Sequence, residues 1–324
     1  MIEKITPHHD EYRNCLEDIF ATLAIWKKRE YILMHSYSWD FGYISSKVSN
    51  DLIGYRMSTS RSGLAYLEKE YILRKYIGIE LSEHKKMSID KSIDMIKQEC
   101  KNGYPVAIYI NSYWCPWNTS YKKHRVTHFC LAVDINEDEI ICIDPFYNLK
   151  NVMLPLGNYQ QGLGVILKFR FLEEYDDENW LEILENCAFR TLTGSNGKSD
   201  FDNIREFANE IRYEESAKKE FEVHYDINVS PLLMCVNSIA LARKKNASVL
   251  FWLHEKYHRN GIETYGEKLE MACSKWLSIK NLMIKYWVSG YSEHVLRAMY
   301  NGIIGAADYE ENLAHEIYSS VQIT

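Results

Sequence analysis

The chain has 324 residues, 46% of them apolar and 26% charged, with a net charge of −7. That mixture describes a soluble globular protein of one large domain or two ordinary ones and excludes a disordered chain. The acidic balance argues against nucleic acid as a partner, because phosphate binding relies on basic surface, and no apolar run approaches a membrane span.

The chain opens Met1-Ile2-Glu3-Lys4 without an apolar signal region, so a cytoplasmic location is expected. Cys15 to Lys28 places Leu16, Ile19, Phe20, Leu23 and Trp26 on one face of a helix. An aromatic stretch follows, with Trp39 and Asp40 at its centre. A second helical stretch covers 62–76 and ends before Gly78, and a third covers 88–101, with Ser88 as N-cap and Gly103 as its stop. Val106 to Ile110 reads as a buried strand by its β-rich composition. Beyond an aromatic and basic loop, apolar alternation on both sides of Asn136-Glu137-Asp138-Glu139 predicts a β-hairpin, and Gly164 to Phe171 supplies one more strand.

From about Asp176 strand signals nearly vanish. Gly194 to Ser199 has linker character. Ser230-Pro231 is a cap followed by proline in the first turn, a strong helix start. Helix-period runs continue over 247–258, 265–288 and 309–319. The expected architecture is α+β: helices with an antiparallel sheet over 1–175, then an all-α helical domain over 176–324.

Three residues carry the chemistry. Cys15 opens a helix, where partial positive charge and free N–H groups favour a nucleophilic sulfur. His128 begins one strand of the hairpin, and Asp144 closes the other. By the period of two, His128, Cys130 and Ala132 share one face, and Ile140, Cys142 and Asp144 share a face of the return strand. Each residue alone has an ordinary structural reading: most free cysteines pack as small apolar residues. Together they have the layout of a thiol nucleophile, a base and an orienting carboxylate.

Metal chemistry has little local support. His8, His9, Asp10 and Cys15 lack paired-cysteine or HExxH spacing. His254 and His258, at helical spacing, read as a solvated helix face. Eight cysteines without a CxxC pair read as reduced thiols. No glycine-rich phosphate loop is present.

The early cysteine at a helix start and the run from His128 to Phe146 (HFCLAVDINEDEIICIDPF) resemble the papain-like C39 peptidase group. The build as a whole more closely resembles the butirosin biosynthesis protein H family, with an amide-forming cysteine acyltransferase of closthioamide assembly as a further candidate relative. The resemblance covers the first 170 or so residues well and the helical half only in general character. It implies a papain-like fold with Cys15, His128 and Asp144 as catalytic residues. It further implies transfer of an aminoacyl, peptidyl or acyl group from a carrier-protein thioester to a small-molecule amine. The donor would ride on the carrier's phosphopantetheine, with no cofactor in the enzyme, in nonribosomal peptide or antibiotic biosynthesis.

This chain departs from the papain pattern where a glutamine usually precedes the cysteine by about six residues: that position is His9. The second oxyanion donor, beside the Cys15 backbone N–H, is therefore open among His9, Tyr12 and Asn14, with spacing favouring His9. Trp114, Trp117, Lys122, Lys123 and Arg125 form a loop that reads either as ordinary solvated surface or as a rim for the acidic carrier or its phosphate. Trp39 and Asp40 are candidates for the acyl pocket and the amine. A cysteine peptidase or amidase using the same triad is the alternative enzyme, and a degenerate carrier-binding module the non-enzymatic one.

Overall fold

The strand signals after residue 78 resolve into one six-stranded antiparallel sheet, ordered Ile79–His84, Leu163–Phe171, Val106–Asn111, Thr127–Ile135, Glu139–Asp144 and Leu149–Pro155. A computed structural model describes residues 2, 4–59, 65–176, 180–194, 197–223, 227–258 and 261–322. In chain order the first elements are α1 (Cys15–Trp26), β1 (Gly42–Tyr43), β2 (Met57–Ser58), α2 (Ala65–Ile72), β3 (Ile79–His84) and α3 (Ile89–Lys101). There follow β4 (Val106–Asn111), β5 (Thr127–Ile135), β6 (Glu139–Asp144), β7 (Leu149–Pro155), α4 (Leu156–Gly162) and β8 (Leu163–Phe171). The helices α5 (Trp180–Thr193), α6 (Asp200–Ile211), α7 (Glu214–Glu222), α8 (Pro231–Tyr257), α9 (Ile262–Val288) and α10 (Glu293–Gln322) complete the chain. Among the described residues the protein is thus mixed α and β, and no helix is long and apolar enough to cross a membrane.

Two compact units divide the chain: Met1–Tyr31 with Glu70–Asp176, and Ile32–Lys69 with Asp177–Thr324. The expected division falls between 175 and 176; residues 32–69 group with the later helices and not with the sheet. Their side chains explain why. Trp39 Nε1 donates to Glu310 at 2.6 Å, the Phe41 N–H donates to Asp200 at 2.9 Å, and Phe41 stacks on Trp276. A methyl group on Gly54 would come within 2.2 Å of the Leu232 backbone nitrogen, so glycine permits the approach to α8. The paired strands β1 and β2 lie in this segment, so the second unit is not purely helical.

In the first unit the sheet is buried on both faces. Ile96 of α3 packs with Val106, Ile108, Ile110, Cys130, Ala132 and Cys142, the alternate residues of three central strands. On the other face Phe20 of α1 meets Phe169 of β8 edge-on at 6.4 Å. Truncating a fully buried side chain such as Ile108 to alanine would cost about 2–5 kcal/mol.

The two strands of this sheet that the sequence reading lacks, β3 and β7, are its edges. Edge strands carry charge that discourages further pairing, which dilutes their apolar pattern (Ser82-Glu83-His84, Lys150-Asn151). The helical stretch 62–76 begins outside the described residues. Its described part is α2 and a wider turn over 73–77, closed by Gly78 at φ +67°. Arg29 donates to the carbonyls of Ile77, Gly78 and Leu172, tying the exit of α1 to the sheet edge.

The second unit is organised by α8, α9 and α10, with the separate runs over 231–240 and 247–258 merging into the single helix α8. Ser230 caps it and Pro231 occupies its first turn, as its sequence predicts. At the centre Glu310 accepts from the indoles of Trp39 and Trp276, each at 2.6 Å, and from Arg243, whose side chain is 1% exposed. Residues 195 and 196 of the linker-like patch lie outside the described residues.

Candidate active site

Asn14 starts the helix that carries Cys15. Its side-chain oxygen accepts the N–H groups of Leu16 and Glu17, and Glu17 returns the favour to the Asn14 N–H at 3.0 Å. This reciprocal cap holds the half-buried thiol of Cys15 at the helix's first position. α1 packs on β5, the strand that begins with Thr127-His128.

The hairpin brings His128 and Asp144 together. Leu131 pairs with Ile143, so continuing the register sets Asp144 opposite Cys130, one diagonal step from His128. His128 Nε2 lies 2.6 Å from Asp144 Oδ2, with side-chain exposures of 5% and 0%. The Cys15 side chain also acts on the His128 ring electrostatically and helps to raise its pKa. Burial lowers the imidazole pKa, but the bonds and charges of Asp144 and Cys15 outweigh it and push it up to about 9. Nε2 is engaged by the carboxylate, which leaves Nδ1 for sulfur.

A further donor comes from the loop between β4 and β5. Trp117 Nε1 donates to Asp144 Oδ2 at 2.6 Å, the oxygen already engaged by His128. Asp144 Oδ1 is buried without a hydrogen-bond partner among the described residues. Beside it is Cys115, whose sulfur lies within 4.8 Å of the ligand atoms of His128 and Asp144. Burial first, and then the negative charge of Asp144, push the Cys115 thiol up. Thiol, imidazole and carboxylate are the donor types of a zinc site. Here, however, the imidazole nitrogen is bonded to the carboxylate, and a metal would have to replace that bond.

An aromatic wall closes one side. Phe146 and Tyr147 follow Asp144-Pro145 directly and contact the His128 ring at centroid distances of 6.1 and 5.6 Å. The His9 ring meets the same Phe146 at 5.4 Å. His9 Nδ1 lies 2.6 Å from Asp18 Oδ2, and Asp18 also accepts from Arg13 Nε at 2.7 Å. Sequence reasoning missed Trp117's bond, Phe146, Tyr147 and Asp18. The aromatic pair had one signal, its position immediately after Asp144-Pro145.

The remaining candidates separate clearly. Asn14 is a helix cap, its oxygen committed to backbone N–H groups. The Tyr12 N–H donates to Asp10. Lys122 Nζ lies 3.5 Å from the Trp114 ring centroid and Arg125 stacks over Tyr113 at 5.6 Å, while Lys122, Lys123 and Arg125 are exposed. Trp117 is turned inward to Asp144, which a rim residue would not be. Trp39 and Asp40 belong to the core of the second unit, where Asp40 pairs with Arg190 at 2.5 Å, so burial removes both from a pocket lining.

The chain matches no protein-family model and no curated protein.

Proposed function

We propose that the protein is a cysteine-dependent acyltransferase, its first unit a papain-like catalytic domain and its second a helical accessory domain. It would act in the cytosol on a carrier-bound thioester. One observation carries this reading: His128 is bonded to Asp144 at 2.6 Å, and Asp144 and Cys15 together raise its pKa to about 9. A thiol, an imidazole and an orienting carboxylate in this order suit nucleophilic catalysis by sulfur.

In the proposed reaction Cys15 sulfur attacks the thioester carbonyl. The C–S bond to the carrier's pantetheine breaks, and His128 gives its proton to the departing thiolate. The acyl group now rests on Cys15. An amine attacks it, His128 takes a proton from the amine nitrogen, and Cys15 leaves as the amide forms. The Cys15 backbone N–H offers one donor to the oxyanion. Cleavage of the thioester drives amide formation without ATP. The exposed Lys122, Lys123 and Arg125 suit an acidic carrier.

Intact-mass analysis of the enzyme mixed with acyl-carrier proteins tests the reading. A mass gain of one acyl group on the wild type, absent from Cys15→Ala, is expected, with release as an amide when amines are added. Release only as free acid would identify an amidase or peptidase instead. No acyl-enzyme with any thioester would leave a carrier-binding module.

A further inference from the structure

A second histidine–carboxylate pair flanks the proposed triad. Asp18, on α1 one turn after Cys15, is fully buried: it accepts from His9 Nδ1 at 2.6 Å, Arg13 Nε at 2.7 Å and the Asp10 N–H at 3.3 Å. A carboxylate surrounded by donors requires that Nδ1 carry the proton. Nε2 has no hydrogen-bond partner among the described residues, and the side chain is 35% exposed. His9 and His128 pack against one ring, Phe146.

That hydrogen bond decides what His9 can do. With Nδ1 committed as donor, Nε2 of the neutral ring is an acceptor. Donating to an oxyanion would require the doubly protonated ring, and Arg13 already supplies Asp18 with a full positive partner at 2.7 Å. The other charged groups nearby are Asp10 and His8, the latter turned to Tyr31. The bare nitrogen is therefore oriented as a base.

We propose that His9 is the base that activates the amine acceptor, an inference that rests on the acyltransferase reading. A primary amine reaches the enzyme at neutral pH as ammonium and has no lone pair to attack with. Two protons must leave its nitrogen before a neutral amide is formed. His9 Nε2 takes the first, converting R–NH3+ to R–NH2. The nitrogen lone pair then forms the N–C bond to the acyl carbon. His128, neutral after protonating the pantetheine thiolate, takes the second proton. The C–S bond breaks, its electron pair returns to Cys15, and His9 gives its proton to solvent. Charge and protons balance without oxidant or metal.

The chemical class of acceptor follows. The partner of His9 is a basic aliphatic amine, since a weakly basic one already carries its lone pair.

The test uses the full-length enzyme, an N-acetylcysteamine thioester as donor, and two acceptors: n-butylamine, protonated at neutral pH, and hydroxylamine, which is not. In wild type and His9→Gln the appearance of acyl-enzyme reports a folded site. The expected result is a loss of more than tenfold in butylamine transfer by His9→Gln, with less than a twofold change for hydroxylamine. The butylamine rate should recover as pH rises and the amine deprotonates by itself. An equal loss with both acceptors would make His9 merely structural, and no loss would remove its role; either outcome overturns the inference while the acyltransferase stands. If His9→Gln fails to form acyl-enzyme, His9→Asn undergoes the same comparison, and failure of both assigns His9 to the fold. Absence of acyl-enzyme in the wild type overturns both readings.

Discussion

Trp117 and His128 meet the same atom: the indole Nε1 and the imidazole Nε2 each lie 2.6 Å from Asp144 Oδ2. A single carboxylate oxygen is thereby fixed between a ring that cannot titrate and one that must. Trp117→Phe keeps most of the ring and deletes the donor. A bond to a charged acceptor contributes about 1.5–3 kcal/mol, so unfolding by denaturant should show a loss within that range. The acylation rate should fall severalfold with little change in KM, because the indole orients the carboxylate without touching substrate. A KM effect with kcat intact would return Trp117 to the substrate rim.

Asp144→Asn removes the carboxylate charge that helps to raise His128, leaving burial, which lowers it, opposed by Cys15 alone. The alkaline limb of the acylation rate, set by loss of the imidazolium, should move down from about pH 9 in the wild type. At neutral pH the rate should fall by roughly a hundredfold or more. A pH profile of single-turnover acylation measures both. An unmoved alkaline limb would show that Asp144 does not control His128.

The same shift makes the fold sensitive to pH. A histidine raised in the folded state adds stability that is complete below its ordinary value of 6.5 and lost as pH rises through about 9. Relative to His128→Gln, the wild type should lose about 3 kcal/mol of unfolding free energy between pH 6 and pH 10. Equilibrium denaturation at the two pH values reads this directly, and a constant difference would contradict it.

Asn14 is expected to behave as a cap and not as an oxyanion donor. Asn14→Ala should cost about 1 kcal/mol, and Asn14→Asp, which also caps, should restore stability and acylation together. An aspartate variant that is stable yet as slow as the alanine would reopen the oxyanion role.

In the second unit Glu310 joins Trp39, Trp276 and Arg243. Glu310→Ala strands a buried guanidinium and two indole N–H groups, so a loss of about 3–5 kcal/mol is expected in thermal or denaturant unfolding. A loss under 1 kcal/mol would mean that the cluster rearranges around the gap.

The parts of the fold legible in the sequence are those where local chemistry and tertiary burial agree. Ser88 and Ser230-Pro231 mark helix starts because a cap acts on its own turn. The β5–β6 hairpin is legible because both strands are central and apolar on either side of a polar turn, and with it the closeness of His128 to Asp144. What could not be read depends on distant partners. Trp117 turns inward because a buried carboxylate awaits it 27 residues away. Trp39 and Asp40 have the composition of a pocket, but find Glu310 and Arg190 across 271 and 150 residues. His9 was visible by spacing, whereas its acceptor character was not, since that is set by Asp18.

The excursion of residues 32–69 into the second unit has a consequence for synthesis. This segment leaves the ribosome soon after Cys15, yet the α8 helix that receives Gly54 is translated only much later. Until then Trp39 and Phe41 have no partner and form an adhesive stretch in the nascent chain. A premature stop after Asp176 would make that condition permanent: the truncated product would retain Cys15, His128 and Asp144 while carrying an orphaned aromatic loop between Cys15 and the sheet. The part of the chain that carries Cys15, His128 and Asp144 is therefore not a detachable module of the gene.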